Sequence, residues 1–582
     1  MKEIQEIDTD VLVIGGGSSG CWAALEASKQ DIHVALVNKY TFGRSGTTLT
    51  GLAGYAAIMG ELGQYPQDTT DIYFEDLLKG GAYLGEQNLM EILIRRSRET
   101  VLQLERMGVK WDKINGKYHL RGNPGNRFPR CSFSDDRTGL VIQKALAKQI
   151  VKSQNVQVLE RKITKLLISN GQIAGAMGYH LSDGTIIRII AKAVVLATGG
   201  AGQLFKISSM PEGARGDGYA LAYKAGAALI DMEYQQFYPA TLAYPETLRG
   251  LLAPIGTCIP LGARILNANG ERFMHKYDPE SENPTRDVAS IAIFKEIKNG
   301  VTTPHGGVYL DVSAVENVLE RYPTTFKDFK KAGINLPEEW IEICPGAHFT
   351  IGGVKINEFC ETTVPGLYAA GEVAGNLHGA NRIAGSALPE CSVFGQIAGE
   401  NAAIYSKFKY APKLKTSEGE GEIERITKLY EPGGRGEIRP IQIIRALQKV
   451  MYDKVGVLRT HKELLEAIQE IEELKGRMDN LNINKNKHYN NEVLDALEVA
   501  DMLLLAEIIA KAALIRKESR GAHYREDFPR QNDTEWLKHS TAFQVNGHLE
   551  ISTCPITVTR NIMDKNRRDY DRRENPTDNI SI

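Results

Sequence analysis

The chain has 582 residues, 42% hydrophobic and 24% charged, with a formal net charge of -2. Such a length exceeds what one hydrophobic core holds and predicts two to four domains, while the balanced charge excludes a nucleic-acid partner held through its phosphates. The seven cysteines are scattered and free of CxxC spacing, which excludes a disulfide framework, a zinc site or a resident iron–sulfur cluster.

The acidic start MKEIQEIDTD has neither the basic nor the apolar region of a secretory signal, and Met502 to Ile515 is broken by Glu507 and Lys511. A cytoplasmic protein is expected, without membrane insertion and peripheral to a membrane only through a partner. Asp10 to Ile14 is a buried-strand pattern, followed by a glycine-rich turn, a helix over Trp22 to Lys29 and a second apolar run from His33 to Val37. This β-turn-α-β unit opens a doubly wound parallel sheet. Alternating segments follow over Gln157 to Val194 with a hairpin turn at Asp183-Gly184, then a strand at Ala193 to Ala197. Residues 235–343 are richer in proline and aromatics and read as an inserted domain. Leu367 to Ala370 is again a buried strand, Ser392 to Lys407 a helix, and the texture from Ile423 to about Arg516 is amphipathic and helical. Arg516 to His523 is a charge cluster at a helix end, solvated or structural, and Asn561 to Ile582 is a charged, solvated or partner-ordered arm.

Gly15-Gly16-Gly17-Ser18-Ser19-Gly20 satisfies GxGxxG between a strand and a helix. Gly15 makes the tight turn, Gly17 lets backbone approach a pyrophosphate, Gly20 lets helix and strand pack, and the helix N-terminus at Ser18 and Ser19 supplies positive potential. Asn38-Lys39 stands where an acidic ribose ligand is usual, which weakens an NAD reading. Ala197-Thr198-Gly199, Gly216-Asp217-Gly218 and Ala370-Gly371-Glu372 put small or hydroxyl-binding residues where a long dinucleotide needs them.

In this order GGGSSG, GRSGTTLTGLAG, DRTG, ATGG, GDG, GERFM…TRDV, AHFTIGG, PGLYAAGEVAG…HGANRIAGSAL and RKESRGAHYREDFP resemble the flavoprotein subunits of succinate dehydrogenase and fumarate reductase; L-aspartate oxidase and the alpha chain of adenylylsulfate reductase are relatives of that family. The resemblance runs from Val11 to about Pro529. It implies an α/β fold: a Rossmann-like FAD-binding domain in two segments (1–236 and 346–412), an inserted α+β capping domain (237–345), a C-terminal helical domain (413–530) and a tail (531–582) that docks a partner. It adds Ser45, Thr47, Thr48, Gly51, Ser386 and Leu388 to the expected FAD contacts. The family's flavin-linking histidine position is Gly46 here, so FAD is expected to be noncovalent and the enzyme to work in the reducing direction or as an oxidase.

The resemblance also carries catalytic roles over. Arg286 matches the arginine that delivers a proton, and His348 and Arg382 match the grip on a substrate carboxylate. The family His-Pro-Thr-Gly is Tyr238-Pro239-Ala240-Thr241 here, and Thr-Glu-Gly is Pro254-Ile255-Gly256, so half of a dicarboxylate clamp is missing. Tyr238, Thr241, Tyr244 and Arg249 are the candidates for an altered wall. The expected activity is a FAD-dependent reductase of a small unsaturated carboxylate other than fumarate, with electrons from an iron–sulfur partner. An amino or hydroxy acid oxidase, an adenylylsulfate-reductase-like flavoprotein and a noncatalytic FAD relay protein remain as alternatives.

Overall fold

The computed structural model describes residues 4–560 except 53, 279–283, 411–417 and 432–435. The charged arm from Asn561 onward lies outside the described residues.

Strand β1 (Gln5–Ile14) ends in four buried residues because it sits between parallel neighbours. The chain then turns at Gly15 with φ +116°, where a Cβ would lie 2.1 Å from the Ala197 carbonyl oxygen. Helix α1 (Ser18–Ser28) follows, and Gly20 brings it onto the strand so closely that a Cβ would sit 1.8 Å from the Gly15 carbonyl oxygen. Strands β2 (Val34–Asn38), β3 (Val156–Glu160), β4 (Lys162–Ser169), β5 (Gln172–Tyr179) and β6 (Ile186–Leu196) complete a sheet of order β3-β2-β1-β6-β5-β4. The first four strands are parallel and the last two antiparallel, and Leu367–Ala369 pairs in parallel with β6.

After helix α2 (Asp217–Lys224) and the short strand β7 (Leu229–Ile230), the chain enters the capping domain through β8 (Gln235–Leu242). This domain contains β9 (Arg264–Leu266), helix α3 (Arg286–Lys298) and β10 (Val308–Asp311), and the chain leaves it through β11 (Ile341–Thr350). The sheet is antiparallel, in the order β8-β11-β10-β9, over a separate core that includes Ile265, Phe273, Ile293, Leu310 and Phe329. The boundaries placed at 236/237 and 345/346 both fall inside strands, since entry and exit are a paired ladder and not linkers. Strand β12 (Gly353–Val354) follows, and then helix α4 (Ala387–Lys407), which begins five residues before the expected Ser392 and packs on α1.

Helices α5 (Pro440–Lys454), α6 (His461–Gly476) and α7 (Asn491–Ile515) form the C-terminal bundle, and no helix among the described residues is long and apolar enough to cross a membrane. Of the two readings of the charge cluster, the structure shows the structural one. Arg516, Glu518, Arg520, His523 and Arg525 are all buried, with Arg516 bridging Glu233 and Glu518 at 2.6 and 3.0 Å.

The segment beyond residue 530 is more than a tail. Strands β13 (Lys538–Val545) and β14 (His548–Pro555) form a hairpin that joins a second sheet, β12-β7-β13-β14. His539 is buried there between Asp231 (2.5 Å) and Glu86 (3.1 Å). Burial alone would lower its pKa, but the two carboxylates raise it to about 10. Because the folded value exceeds the unfolded one, this clasp stabilises fully below pH 6.5 and is lost as pH rises through about 10. The expected outcome is that His539→Gln costs about 3–5 kcal/mol in urea unfolding on the acid side of that window. The difference from wild type should shrink above it, and equal losses at both ends would refute the clasp.

Candidate active site

One cavity of about 950 Å³ runs from the carboxyl ends of the parallel strands to the underside of the capping domain, where open α/β sheets place ligands. At its dinucleotide end Gly15, Gly17, Ser18 and Ser19 present the N-terminus of α1, with Ala197, Thr198 and Gly199 beside them. Ser18 Oγ, Ser19 Oγ and Thr198 Oγ1 are buried and have no hydrogen-bond partner among the described residues. An unpaired buried group of this kind costs about 1–3 kcal/mol, so these hydroxyls call for a polar ligand. Glu372 lines the same wall and accepts a 3.0 Å hydrogen bond from the Thr350 N–H. Burial pushes its pKa up to about 8, so near neutrality it can carry a proton and donate one hydrogen bond. Helix N-terminus, unpaired hydroxyls and an adaptable carboxyl together fit FAD.

Lys39, Ser45, Thr47, Thr48, Gly51, Asp217 and Leu388 also line the cavity. Gly46 lines it too, at φ +97°, with nothing within 4 Å of a would-be Cβ. Asn38 lines it but is committed to the turn. Its Oδ1 accepts from Gly16 N–H (3.0 Å), and its Nδ2 donates to the Tyr40 carbonyl (2.6 Å) and Ser45 Oγ (3.0 Å). Gly20, Gly371 and Ser386 stand behind the wall: Gly20 serves helix packing, and Ser386 donates to the Ile383 carbonyl at 2.6 Å.

At the other end the capping domain and the sheet domain bring Arg286, His348, Arg382 and Tyr238 together. Arg286 is the first residue of α3, Tyr238 lies on β8, His348 on β11, and Arg382 in the loop before α4. Arg286 Nη1 and Arg382 Nη2 donate to one acceptor, Gln236 Oε1, at 2.9 and 3.2 Å. Gln236 is held in that orientation because its Nε2 donates to Asn381 Oδ1 (2.8 Å) and the Arg382 carbonyl (2.7 Å). The Arg286 guanidinium stacks 5.0 Å from the Tyr238 ring, and that of Arg382 lies 4.5 Å from the Phe349 ring. His348 packs on Tyr238 with ring centroids 5.3 Å apart, and its Nδ1 meets Ser209 Oγ at 2.7 Å.

Among the described residues no carboxylate forms an ion pair with either arginine, and Arg382 Nε has no partner. Burial and the neighbouring Arg286 lower the Arg382 pKa to about 9, and burial also lowers that of Arg286. Both remain cations at neutral pH. Burial and the two guanidiniums push His348 well below its ordinary range, so it is neutral there. The result is a pocket with two positive charges and, among the described residues, no carboxylate ion-paired to either, a setting that favours a bound anion.

Of the four residues expected in an altered wall, only Tyr238 lines the cavity. Thr241 donates to the Cys344 carbonyl (2.7 Å), Tyr244 stacks on His305 at 3.8 Å while 45% exposed, and Arg249 pairs with Glu246 at 2.7 Å. The reason is the path of the chain: β8 carries Tyr238 past the cavity and then leaves it along the capping sheet. Gln236 and Ser209 were missed. A buried amide two residues before Tyr238 on the same strand was the available signal for Gln236; nothing in the sequence marks Ser209.

Comparison with known proteins agrees with this geometry. Residues 10–388 match the FAD binding domain family, and 444–570 match the fumarate reductase flavoprotein C-terminal family. The chain is 37% identical over 542 residues to one component of the fumarate reductase (CoM/CoB) of Methanothermobacter marburgensis, covering 92% of this chain and 97% of that one. Mycobacterium smegmatis Sdh1, solved in complex with UQ1, superposes with a TM-score of 0.87 at 33% identity, covering 95% of both chains. Quinol fumarate reductase FrdA of E. coli superposes with a TM-score of 0.89 at 28% identity, covering 97% of this chain and 100% of that one. Motifs, cavity and relatives converge: the chain belongs to the fumarate reductase and succinate dehydrogenase flavoprotein family and is a FAD-dependent oxidoreductase.

Proposed function

We propose that this flavoprotein reduces the carbon–carbon double bond of an unsaturated monocarboxylate bearing an apolar substituent. The observation that carries the reading is the pair of arginines on Gln236, Arg382 buried and Arg286 partly buried, beside an apolar wall. Leu252, Pro254, Ile255, Ile265, Ala289 and Tyr322 line the cavity next to Tyr238. The Tyr238 hydroxyl is engaged in a 2.8 Å hydrogen bond to the Ala253 carbonyl. A second carboxylate placed against this wall would lose its hydration without gaining a cation, whereas an alkyl or aryl group would be well housed.

Held by the helix N-terminus at Ser18 and Ser19 and by the cavity wall, reduced FAD would supply a hydride for the β-carbon. The chain supplies the rest. Arg382 offers a planar fork to the substrate carboxylate, with His348 as a neutral hydrogen-bonding neighbour. The stacking of Arg382 on Phe349 fixes its plane. Arg286, lowered in pKa by burial and oriented by Gln236, would give its proton to the α-carbon. The capping domain excludes water from both events. The cysteine pattern offers no cluster ligands, and a separate iron–sulfur protein as electron donor fits the chain's kinship with multisubunit relatives.

Three outcomes test this reading. Because Gly46 offers no side-chain nitrogen, acid precipitation should release the flavin into the supernatant; flavin fluorescence staying with the denatured polypeptide on a gel would contradict noncovalent binding. Arg286→Lys should lose about two or more decades in turnover with little change in anaerobic substrate binding, read from the flavin spectrum. Arg382→Lys should instead weaken binding, and loss of affinity alone in both variants would make Arg286 a second clamp. The name of the Methanothermobacter relative favours fumarate itself, so dye-reduced enzyme should be offered fumarate and an aryl or alkyl acrylate side by side. The acrylate is expected to turn over faster, and equal or better rates with fumarate would overturn the substrate assignment.

A further inference from the structure

Asn38 ends β2 and Lys39 follows it, where a Rossmann-like crevice places the adenosine half of its dinucleotide. At this end the cavity wall is not made by the sheet domain alone. Asn491, Leu494 and Asp495 of α7 line it. These positions recur at helical spacing, so Glu498, three and four residues on, lies on the same helix face.

Glu498 is fully buried and gathers three cations from three separate segments of the nucleotide domain. Its Oε1 accepts from Lys39 Nζ at 2.6 Å and from Lys162 Nζ at 2.9 Å, and its Oε2 from Arg215 Nη1 at 3.1 Å. Lys39 follows β2, Lys162 opens β4 and Arg215 precedes α2, and all three line the cavity. Asp217 takes a share of Lys39 and Lys162, and Asp495 pairs with Arg215 at 2.5 Å. Three cations thus meet three carboxylates, two of which come from α7. Without Glu498 the lysines and the arginine would repel one another in a water-poor site, and the segments carrying them would lose their relative placement.

We propose that the C-terminal helical domain completes the adenosine end of the FAD site, with Glu498 as the positioning residue that fixes Lys39, Lys162 and Arg215. The proposal rests on FAD occupying the cavity, and it makes cofactor retention contingent on docking of α7. In the sequence Glu498 is one more glutamate on a helix.

Titration of FAD into deflavinated protein, followed by quenching of flavin fluorescence, reads the dissociation constant without any turnover. Glu498→Gln keeps the shape and removes the charge, and it is expected to raise that constant about tenfold or more. Asn491→Trp alters an exposed position where α7 borders the cavity, and should also weaken FAD while leaving the melting temperature of the apoprotein unchanged. Unchanged FAD affinity in a folded Glu498→Gln protein overturns the proposal, as does unchanged affinity in Asn491→Trp. If Glu498→Gln does not fold, Asn491→Trp decides. Wild-type protein that binds no FAD would instead remove the family reading beneath it.

Discussion

Arg382, buried, and Arg286, partly buried, come from different domains and share one amide oxygen where a carboxylate would be expected. Burying one guanidinium without a counter-ion costs several kcal/mol even after relaxation, and burying two adjacent ones costs more. The surrounding structure holds them apart from any easy solution. Gln236 is pinned by Asn381 and the Arg382 backbone, Asn381 donates in turn to Asp287, and aromatic rings lie against both guanidiniums. An anion entering the pocket would offset this cost, and on the proposed reading that is the source of the affinity for a carboxylate. His348 stays neutral because burial, and after it the same two charges, depress its pKa, which makes it a hydrogen-bonding partner and not a third cation.

The domain architecture follows from that arrangement. Arg286 and Tyr238 arrive on the capping domain, while His348 lies on β11, the strand that leads back into the sheet domain, and Arg382 precedes α4 in that domain. The pocket therefore exists only when cap and sheet meet. The antiparallel pairing of β8 with β11 ties the domains through a backbone ladder, so the cap is carried on a stiff stem. At the far end of the same cavity, α7 meets the nucleotide domain through a network of buried charges. A cofactor spanning the cavity would touch groups that depend on both junctions.

Much of the site was legible because its chemistry leaves local marks. GxGxxG needs glycines at fixed offsets for steric reasons, and the 1.8 Å approach at Gly20 shows how little latitude exists. Arg286, His348 and Arg382 were found through motif resemblance, and their convergence was then visible only in three dimensions. What stayed hidden depended on tertiary placement. Thr241, Tyr244 and Arg249 lie near Tyr238 in sequence, yet the chain leaves the cavity along β8 and the loop that follows it. From sequence Arg516 to His523 reads as either solvated or structural, because nothing local announces that Glu233 arrives from nearly three hundred residues away to neutralise it. The β13–β14 hairpin was likewise obscured: its outer strand is largely exposed, and its inner one is stabilised by pairing with β7.

The most direct test of the central claim is a crystal structure of the FAD-loaded protein with a saturated monocarboxylate such as 3-phenylpropanoate. The carboxylate should lie within hydrogen-bonding distance of Arg382 and His348, the phenyl group against Ile255 and Leu252, and Arg286 should face the carbon next to the carboxylate. A carboxylate bound elsewhere, or an empty pocket with both arginines still resting on Gln236, would contradict the account.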